Sequence, residues 1–476
     1  MIHSIHTDMC VIGRRPGHRH DKSRSVAHAM LLSALLLLLG LGVLLSTRAQ
    51  AQDTAGFDAA KEANAVLDAM DAGDFAGVHA RFNPAMAAAV SAEQLAQVWK
   101  ALPSQVGPLK ARGDAQVVER GGMTLVNMSL RYEKAELSAM FAFDAERRIG
   151  GFAIRPATPV APPAPAVPAD ANYRELELRI GDETTGLPAT LALPNGKGPF
   201  SAVVLVHGSG PHDRDETIGP NRPFLDIARG LAARGVAVLR YEKRTKARPQ
   251  DFAQNINIDS ETTDDAVLAV TLLRGQTGID PKRVFVLGHS QGGMMAPRIG
   301  ARDPQIAGLI LLAAPSRALL DILIEQNRRM AILNDGKTSD AESIAIQQLT
   351  DSVNAVRSGR AIADAQAPLG LSAAYWRSAD AVDPVAEARA IAQPLLILQG
   401  ARDIQVVDAD WQGWKQAFHA TPRVTFKLYE TLNHLAIPGE GDGNLQEYQT
   451  PGHVDPALIA DIAAWIAGVA EASARR

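Results

Sequence analysis

Val284-Phe285-Val286-Leu287 runs without a break into Gly288-His289-Ser290-Gln291-Gly292, and Gly293-Met294-Met295-Ala296-Pro297-Arg298-Ile299-Gly300 follows. Branched and aromatic residues in a short continuous run read as a strand buried on both faces. The stretch after the serine has helical character, so G-x-S-x-G sits where a strand turns sharply into a helix. A turn that tight has no room for side chains two residues before or after the serine, which accounts for Gly288 and Gly292. The serine at its apex is strained, its hydroxyl held above the sheet near the positive end of a helix. That context makes Ser290 a candidate nucleophile rather than a chance serine in a glycine turn.

Outward from this segment the same alternation repeats. Buried-type runs occur at Ala202 to Val206, Ala237 to Tyr241, Gly308 to Leu312, Pro394 to Leu398 and Val424 to Tyr429. Helical stretches at Pro223 to Ala233, Thr262 to Arg274, Gly292 to Arg302 and Pro456 to Ala470 separate or follow them. Tyr173 to Ile180 and Leu187 to Leu193 alternate as a half-exposed pair, the pattern of an opening antiparallel hairpin. The pattern predicts an α/β domain over 170–476: a mostly parallel sheet with helices on both faces and chemistry at the carboxyl ends of its strands. A largely helical insertion over about 316–392 interrupts the alternation where a cap would lie.

A serine hydroxyl needs a base to take its proton, and that base needs an orienting acid. In strand–turn–helix elbows of this kind the acid and histidine follow the serine in chain order. Asp403 lies just past the strand Leu395-Leu396-Ile397-Leu398-Gln399-Gly400, and His434 lies beyond the strand Val424 to Tyr429. Asp408 and Asp410 are the alternatives for the acid if the turn is longer. Of the other histidines outside the first fifty residues, His79 falls in a separate region and His289 is on the wrong side of the elbow. His419 lies in a helical stretch and His453 at the start of the last helix.

A tetrahedral oxyanion needs amide donors. One is expected from Gln291, the residue after the nucleophile; the second from His207-Gly208-Ser209-Gly210-Pro211, with Ser209 ahead of Gly210. His207 is read as a buttress of that loop. Asp213-Arg214-Asp215-Glu216 and Glu242-Lys243-Arg244 read as mutual ion pairs holding loops, in preference to a site for an anionic substrate group. In the insertion, Tyr375 and Trp376, with Leu319, Leu320 and Leu323, either form an apolar substrate wall or pack the cap onto the core. No H-E-x-x-H or clustered ligand set signals a metal, and no G-x-G-x-x-G after a strand signals a dinucleotide, so no cofactor is expected.

Pro156 to Pro168 reads P-A-T-P-V-A-P-P-A-P-A-V-P, an extended spacer (156–169) that forms neither helix nor sheet ladder. Ahead of it, 55–155 carries helical patterning at Ala59 to Met70 and Ala92 to Leu102. Strands follow at Ala115 to Glu119, Met123 to Tyr132, Ala135 to Phe143 and Ile149 to Ile154. Helices followed by a strand meander predict a small α+β domain serving folding, homodimerisation or substrate presentation.

At the start, Arg14, Arg15, Arg19, Lys22 and Arg24 precede an apolar run from Met30 to Leu45, then Ala49-Gln50-Ala51. This is the pattern of a signal peptide (1–51) cut after Ala51, with a periplasmic or secreted product and no stable membrane insertion after cleavage; an uncleaved N-terminal anchor is the alternative. The only cysteine, Cys10, leaves with it, and the net charge moves from −4 to −8. Neither charge nor aromatic patterning supports nucleic-acid binding.

The run H-G-S-G-P-H-D-R-D-E-T-I-G-P-N-R-P-F from His207 to Phe224, with L-R-Y-E-K-R, G-H-S-Q-G-G and L-I-L-Q-G-A-R-D, resembles the EstD-type bacterial esterases of the α/β-hydrolase superfamily. The front region resembles the NTF2-like domain of unknown function that precedes many secreted bacterial hydrolases. The first resemblance implies a carboxylesterase acting on short acyl esters, with a triad falling on Ser290, Asp403 and His434. Glu242 departs from the R-Y-D-K-R form of that loop. A thioesterase and a serine peptidase use the same machinery, and a non-catalytic binding protein on this scaffold is the reading from another class.

Overall fold

The computed structural model describes residues 57–120, 123–156, 164–252, 256–362 and 366–474. The expected leader and Cys10 lie outside them. No helix among the described residues is long and apolar enough to cross a membrane.

The front region opens with helices Ala59–Asp71, Phe75–His79, Pro84–Ala89 and Ala92–Val106. Each is started by a polar side chain that accepts from an otherwise unpaired backbone N–H: Asp58, Asp74, Asn83 and Ser91, the last in a reciprocal box with Gln94. Strands β1 (Leu109–Arg112), β2 (Gln116–Arg120), β3 (Met123–Tyr132), β4 (Glu136–Phe143) and β5 (Ile149–Pro156) form one antiparallel sheet. Alternate residues Val126, Met128, Leu130, Leu137, Ala139 and Phe141 pack against Val66, Leu67, Met70 and Leu95 of the helices. The two short helices and β1 escape a reading by periodicity because each is too short to show a period, although the caps Asp74 and Asn83 mark two of them.

The second region builds an eight-stranded sheet ordered β13-β12-β11-β10-β8-β9-β7-β6. Its strands are β6 (Tyr173–Ile180), β7 (Leu187–Pro194), β8 (Phe200–Val206), β9 (Ala237–Tyr241), β10 (Ile279–His289), β11 (Leu309–Leu312), β12 (Leu395–Gly400) and β13 (Val424–Tyr429). The sheet is parallel from β13 to β9 and antiparallel at the β6–β7 hairpin and its junction with β9. Side chains alternate across β8 and β10, and each face has its own helices. Val204, Val206 and Val286 pack under helices Asp264–Arg274 and Gln291–Arg302, through Ala266, Val270, Ala296 and Ile299. Val203, Leu205, Phe285 and Leu287 pack under Pro223–Ala232 and Pro456–Ala474, through Phe224, Ile227, Leu231, Leu458 and Ile462. This is the mostly parallel, doubly covered sheet expected from the alternation, and it fits the α/β-hydrolase fold that the resemblance implies.

Two features position the site. The chain leaves β8 toward β9 on one side and reaches β10 on the other, so the carboxyl ends of β8 and β10 border a topological crevice. Their register pairs Gly288 with Val206, which sets Ser290 level with Gly208 two residues on. Between β11 and β12 the insertion forms helices Leu319–Asp335, Asp340–Arg357, Ala373–Asp380 and Pro384–Ala390. Leu320, Val353, Val356, Tyr375 and Trp376 share a small core with Met294 and Met295 of the helix that follows the serine. The cap is seated beside the elbow.

Candidate active site

Ser290 has φ 52° and ψ −119°, a left-handed conformation rare for a residue with a side chain. Its N–H donates to the Leu312 carbonyl at 2.9 Å, and its carbonyl accepts from Met294 N at 2.9 Å, which holds the strained turn in place. The flanking glycines are required by contact: a Cβ on Gly288 would lie 2.1 Å from the Gly292 carbonyl oxygen, and one on Gly292 2.2 Å from that of Val206. A Cβ on Gly208 would come within 3.2 Å of the Ser290 Cβ, so the loop after β8 lies directly against the serine.

The Asp403 carboxylate is buried and fully engaged. Its Oδ1 accepts from the backbone N–H groups of Gln405 and Val406 at 2.8 and 2.9 Å. Its Oδ2 accepts from Gln399 Nε2 at 3.2 Å and lies 2.8 Å from His434 Nδ1. These contacts aim the second oxygen at the imidazole and leave Nε2 of His434 as the atom able to exchange a proton with a hydroxyl. The Ser290 hydroxyl and His434 do not hydrogen-bond to each other in this structure, a gap that commonly closes only around a substrate. Asp408 and Asp410, the alternatives, are engaged elsewhere: Asp408 accepts from Gln412 at 3.0 Å and Asp410 from Arg317 Nη2 at 2.7 Å.

His289 is not a base toward Ser290, but it is part of the site. Its ring stands 4.7 Å from that of His434, centroid to centroid, and its Nε2 donates to the His434 carbonyl oxygen at 2.8 Å. Its Nδ1 lies 2.9 Å from Glu216 Oε2, while Glu216 Oε1 accepts from Gly208 N at 2.7 Å. Burial alone would push the His289 pKa down, but the charge and contact of Glu216, with the His434 carbonyl and the Asp403 charge, together outweigh it and the pKa rises. Burial works against the Glu216 charge too, and the charge and contact of His289, with smaller help from the neighbouring imidazoles, together more than offset it, holding that carboxyl at about 2. A buried ion pair therefore ties together the loop after β8, the elbow and the His434 loop. His207 stays neutral, its pKa pushed by burial to about 3, and its Nε2 donates to the Asp213 carbonyl oxygen at 3.0 Å.

Among the described residues the backbone amides of Ser209, Gly210 and Gln291 find no protein acceptor, which leaves all three available to an anion. Tyr375 and Trp376 are both buried: the Tyr375 hydroxyl donates to Glu261 Oε2 at 2.5 Å and Trp376 Nε1 to the Pro368 carbonyl oxygen at 2.6 Å. Their polar atoms serve cohesion of the cap and its seat on the core.

Residues 197–442 match the family described as serine aminopeptidase, S33, and residues 63–152 match a family described as a protein of unknown function. The curated protein named esterase EstD of Thermotoga maritima is 33% identical over 379 residues, covering 80% of this chain and 88% of that protein. The chain belongs to this family of α/β-hydrolases. A shorter match, 29% identical over 182 residues, is to the protein named putative esterase NocK of Nocardia uniformis subsp. tsuyamanensis; it covers 33% of this chain and 51% of that one. Among solved structures, Est1E from Butyrivibrio proteoclasticus is similar with a TM-score of 0.39 and 16% identity, covering 62% of this chain and 99% of that one.

In this hydrolase most of the charged clusters are ion pairs that hold loops. Arg214 reaches Glu177 at 2.6 Å and Glu242 at 3.0 Å; Asp215 pairs with Arg240; Arg244 pairs with Asp265 at 2.5 Å and Asp251 at 3.2 Å. Glu242, the departure noted in its loop, retains a carboxylate partner role. Glu216, Lys243 and Glu261 differ: all three are buried around the site, and sequence reasoning did not assign them a place there. Each is an ionisable residue with no local signal that distinguishes it from a solvated loop charge. Gln399, also unassigned, carries a signal that could have found it, since an amide in the otherwise apolar strand Leu395–Gly400 needs a partner.

Proposed function

We propose that this hydrolase is a serine carboxylesterase cleaving short-chain acyl esters through an acyl-enzyme. The observation that carries the reading is the 2.8 Å contact of Asp403 with His434 Nδ1, on a loop whose His434 carbonyl is held by His289, the residue before a serine kept at positive φ on an elbow. Ser290 Oγ attacks the ester carbon as its proton passes to His434 Nε2, and the resulting imidazolium is stabilised by Asp403. The carbonyl oxygen, now an anion, is received by the amides of Gln291 and the loop after β8. His434 returns the proton to the leaving alcohol as the C–O bond breaks. Water then repeats the sequence on the acyl-enzyme and frees the acid.

Two relatives named as esterases support an ester substrate over an amide. The internal engagement of Tyr375 and Trp376 supports a short acyl pocket, since neither ring is left as an open apolar wall. A panel of aryl esters of increasing length, run beside acyl-CoA and peptide amides, tests the reading. Turnover fastest on roughly two- to four-carbon acyl groups is expected, falling as pocket burial runs out. Preference for amides, which the family description would favour, or for long chains overturns it. The basic, apolar and small-x-small order of residues 14–51 supports export with a cut after Ala51. N-terminal sequencing of the protein from a periplasmic fraction should begin at Gln52; a start at Met1 on membrane-bound protein would contradict it.

A further inference from the structure

Lys243 is a buried cation with two partners. Its Nζ donates to the Gly208 carbonyl oxygen at 2.7 Å and to Glu261 Oε1 at 2.7 Å. A buried ammonium is costly unless every donor finds an acceptor, so this placement asks for a reason. The first partner supplies one. In a trans peptide the carbonyl and the next N–H point in opposite directions. Fixing the Gly208 oxygen toward the interior therefore turns the Ser209 N–H the other way, outward into the crevice beside Ser290. Glu216 completes the grip by accepting from the Gly208 N–H at 2.7 Å, so Gly208 is held at both ends by opposite charges. The Gly210 amide belongs to a different unit, whose carbonyl accepts from His212 Nε2 at 2.7 Å on a partly exposed part of the loop.

Glu261 extends the arrangement to the other donor. Its Oε2 accepts from Gln291 Nε2 at 3.2 Å and from the Tyr375 hydroxyl of the cap at 2.5 Å. Burial opposes the Glu261 charge, and Lys243 with the hydrogen bonds from Tyr375 and Gln291 together more than offset it, so its pKa falls; burial and the Glu261 charge push the Tyr375 phenol well up, so it remains a donor. One carboxylate thus touches the side chain of the residue carrying the first oxyanion amide, the cation that orients the second, and a residue of the cap.

We infer that Lys243 is a positioning residue that aims the Ser209 amide at the oxyanion, with Glu261 and Tyr375 linking that aim to the seating of the cap. The inference rests on the esterase reading and deepens it. The test uses full-length Lys243→Met and the charge-neutral double variant Lys243→Met/Glu261→Gln, which removes the risk that an unpaired buried carboxylate unfolds the first. Each is assayed on an acetyl aryl ester and titrated with a phenylboronic acid, whose tetrahedral adduct places an oxygen in the oxyanion position. A mis-aimed donor should lower kcat by about 10- to 300-fold with KM within about threefold, below the loss for deleting a donor outright. Boronate affinity should fall in step with kcat. Tyr375→Phe should show the same split at about three- to tenfold. A folded double variant with wild-type kcat, or one whose KM rises while kcat and boronate affinity hold, overturns the assignment. If wild-type protein neither cleaves the ester nor takes up a serine-directed fluorophosphonate, it is the esterase reading that has failed.

Discussion

The two folded regions treat buried polarity in opposite ways. In 57–156 the buried core is apolar throughout: Leu67, Met70, Phe75, Leu95, Leu130, Phe141 and Phe143 fill it, and no polar or charged residue among those described is fully buried there. In the region after the linker, twenty polar or charged residues among those described are buried, and His207, Glu216, Lys243, Glu261, His289, Gln291, Gln399, Asp403 and His434 among them gather around one end of the sheet. Removing charge from water costs several kcal/mol per ion unless it is paired, so a fold retains such a cluster where it does chemistry. An antiparallel sheet with helices on one face offers packing; the crevice at the ends of parallel strands offers converging loops with amides and side chains to fix. The difference points to the region after the linker as the seat of the proposed chemistry.

That comparison can be broken at several points. The largest effect is expected at the proposed nucleophile: Ser290→Ala should lower kcat on an acetyl aryl ester by about four to six orders of magnitude, with far-UV circular dichroism unchanged. Residual turnover close to wild type would move the chemistry elsewhere. Asp403→Asn should cost about 10⁴ in kcat with little change in KM, because the imidazole loses its tautomer and orientation.

A smaller effect, dependent on pH, is expected from the ion pair beneath the site. Glu216 has its carboxyl lowered from 4.5 to about 2, so its contribution to stability is present above 4.5 and lost as pH falls through 2. His289 is raised from 6.5, so its contribution is complete below 6.5 and lost as pH rises through the higher folded value. Glu216→Gln should therefore lower Tm most between pH 4.5 and 6.5, with the gap to wild type narrowing on either side. A gap that is flat across pH 3 to 9 would argue that the pair is not charged. The smallest effect on turnover is expected from the front region. Phe141→Ala, at 2% exposure in that core, should destabilise it by about 3–5 kcal/mol, visible as an early calorimetric transition, yet leave kcat within about twofold at 25 °C. A parallel loss of kcat would make the front region part of the active unit.

How far these features can be read from the sequence follows from the range of the interactions involved. Strands such as Val203-Val204-Leu205-Val206 and Leu395-Leu396-Ile397-Leu398 announce a doubly covered sheet because their own side chains meet both layers of helices. Ser290, Asp403 and His434 were legible as candidates because each follows a strand at a carboxyl end and their order along the chain is informative; the structure brings Asp403 against His434. Lys243, Glu216 and Glu261 were not, because their role depends on a strand register that sets Gly208 level with Ser290 and on which way one peptide faces. Tyr375 was named for its ring, whereas the structure employs its hydroxyl. Short elements such as Phe75–His79 are held by tertiary packing and a cap more than by any pattern of their own.

The most direct test of the account labels wild-type protein with a fluorophosphonate and maps the adduct by peptide mass spectrometry, beside His434→Ala. The phosphonyl group should be found on Ser290 in the wild type, with labelling slowed at least about a thousandfold when the imidazole is removed. An adduct on another residue, or equally fast labelling without His434, would contradict it.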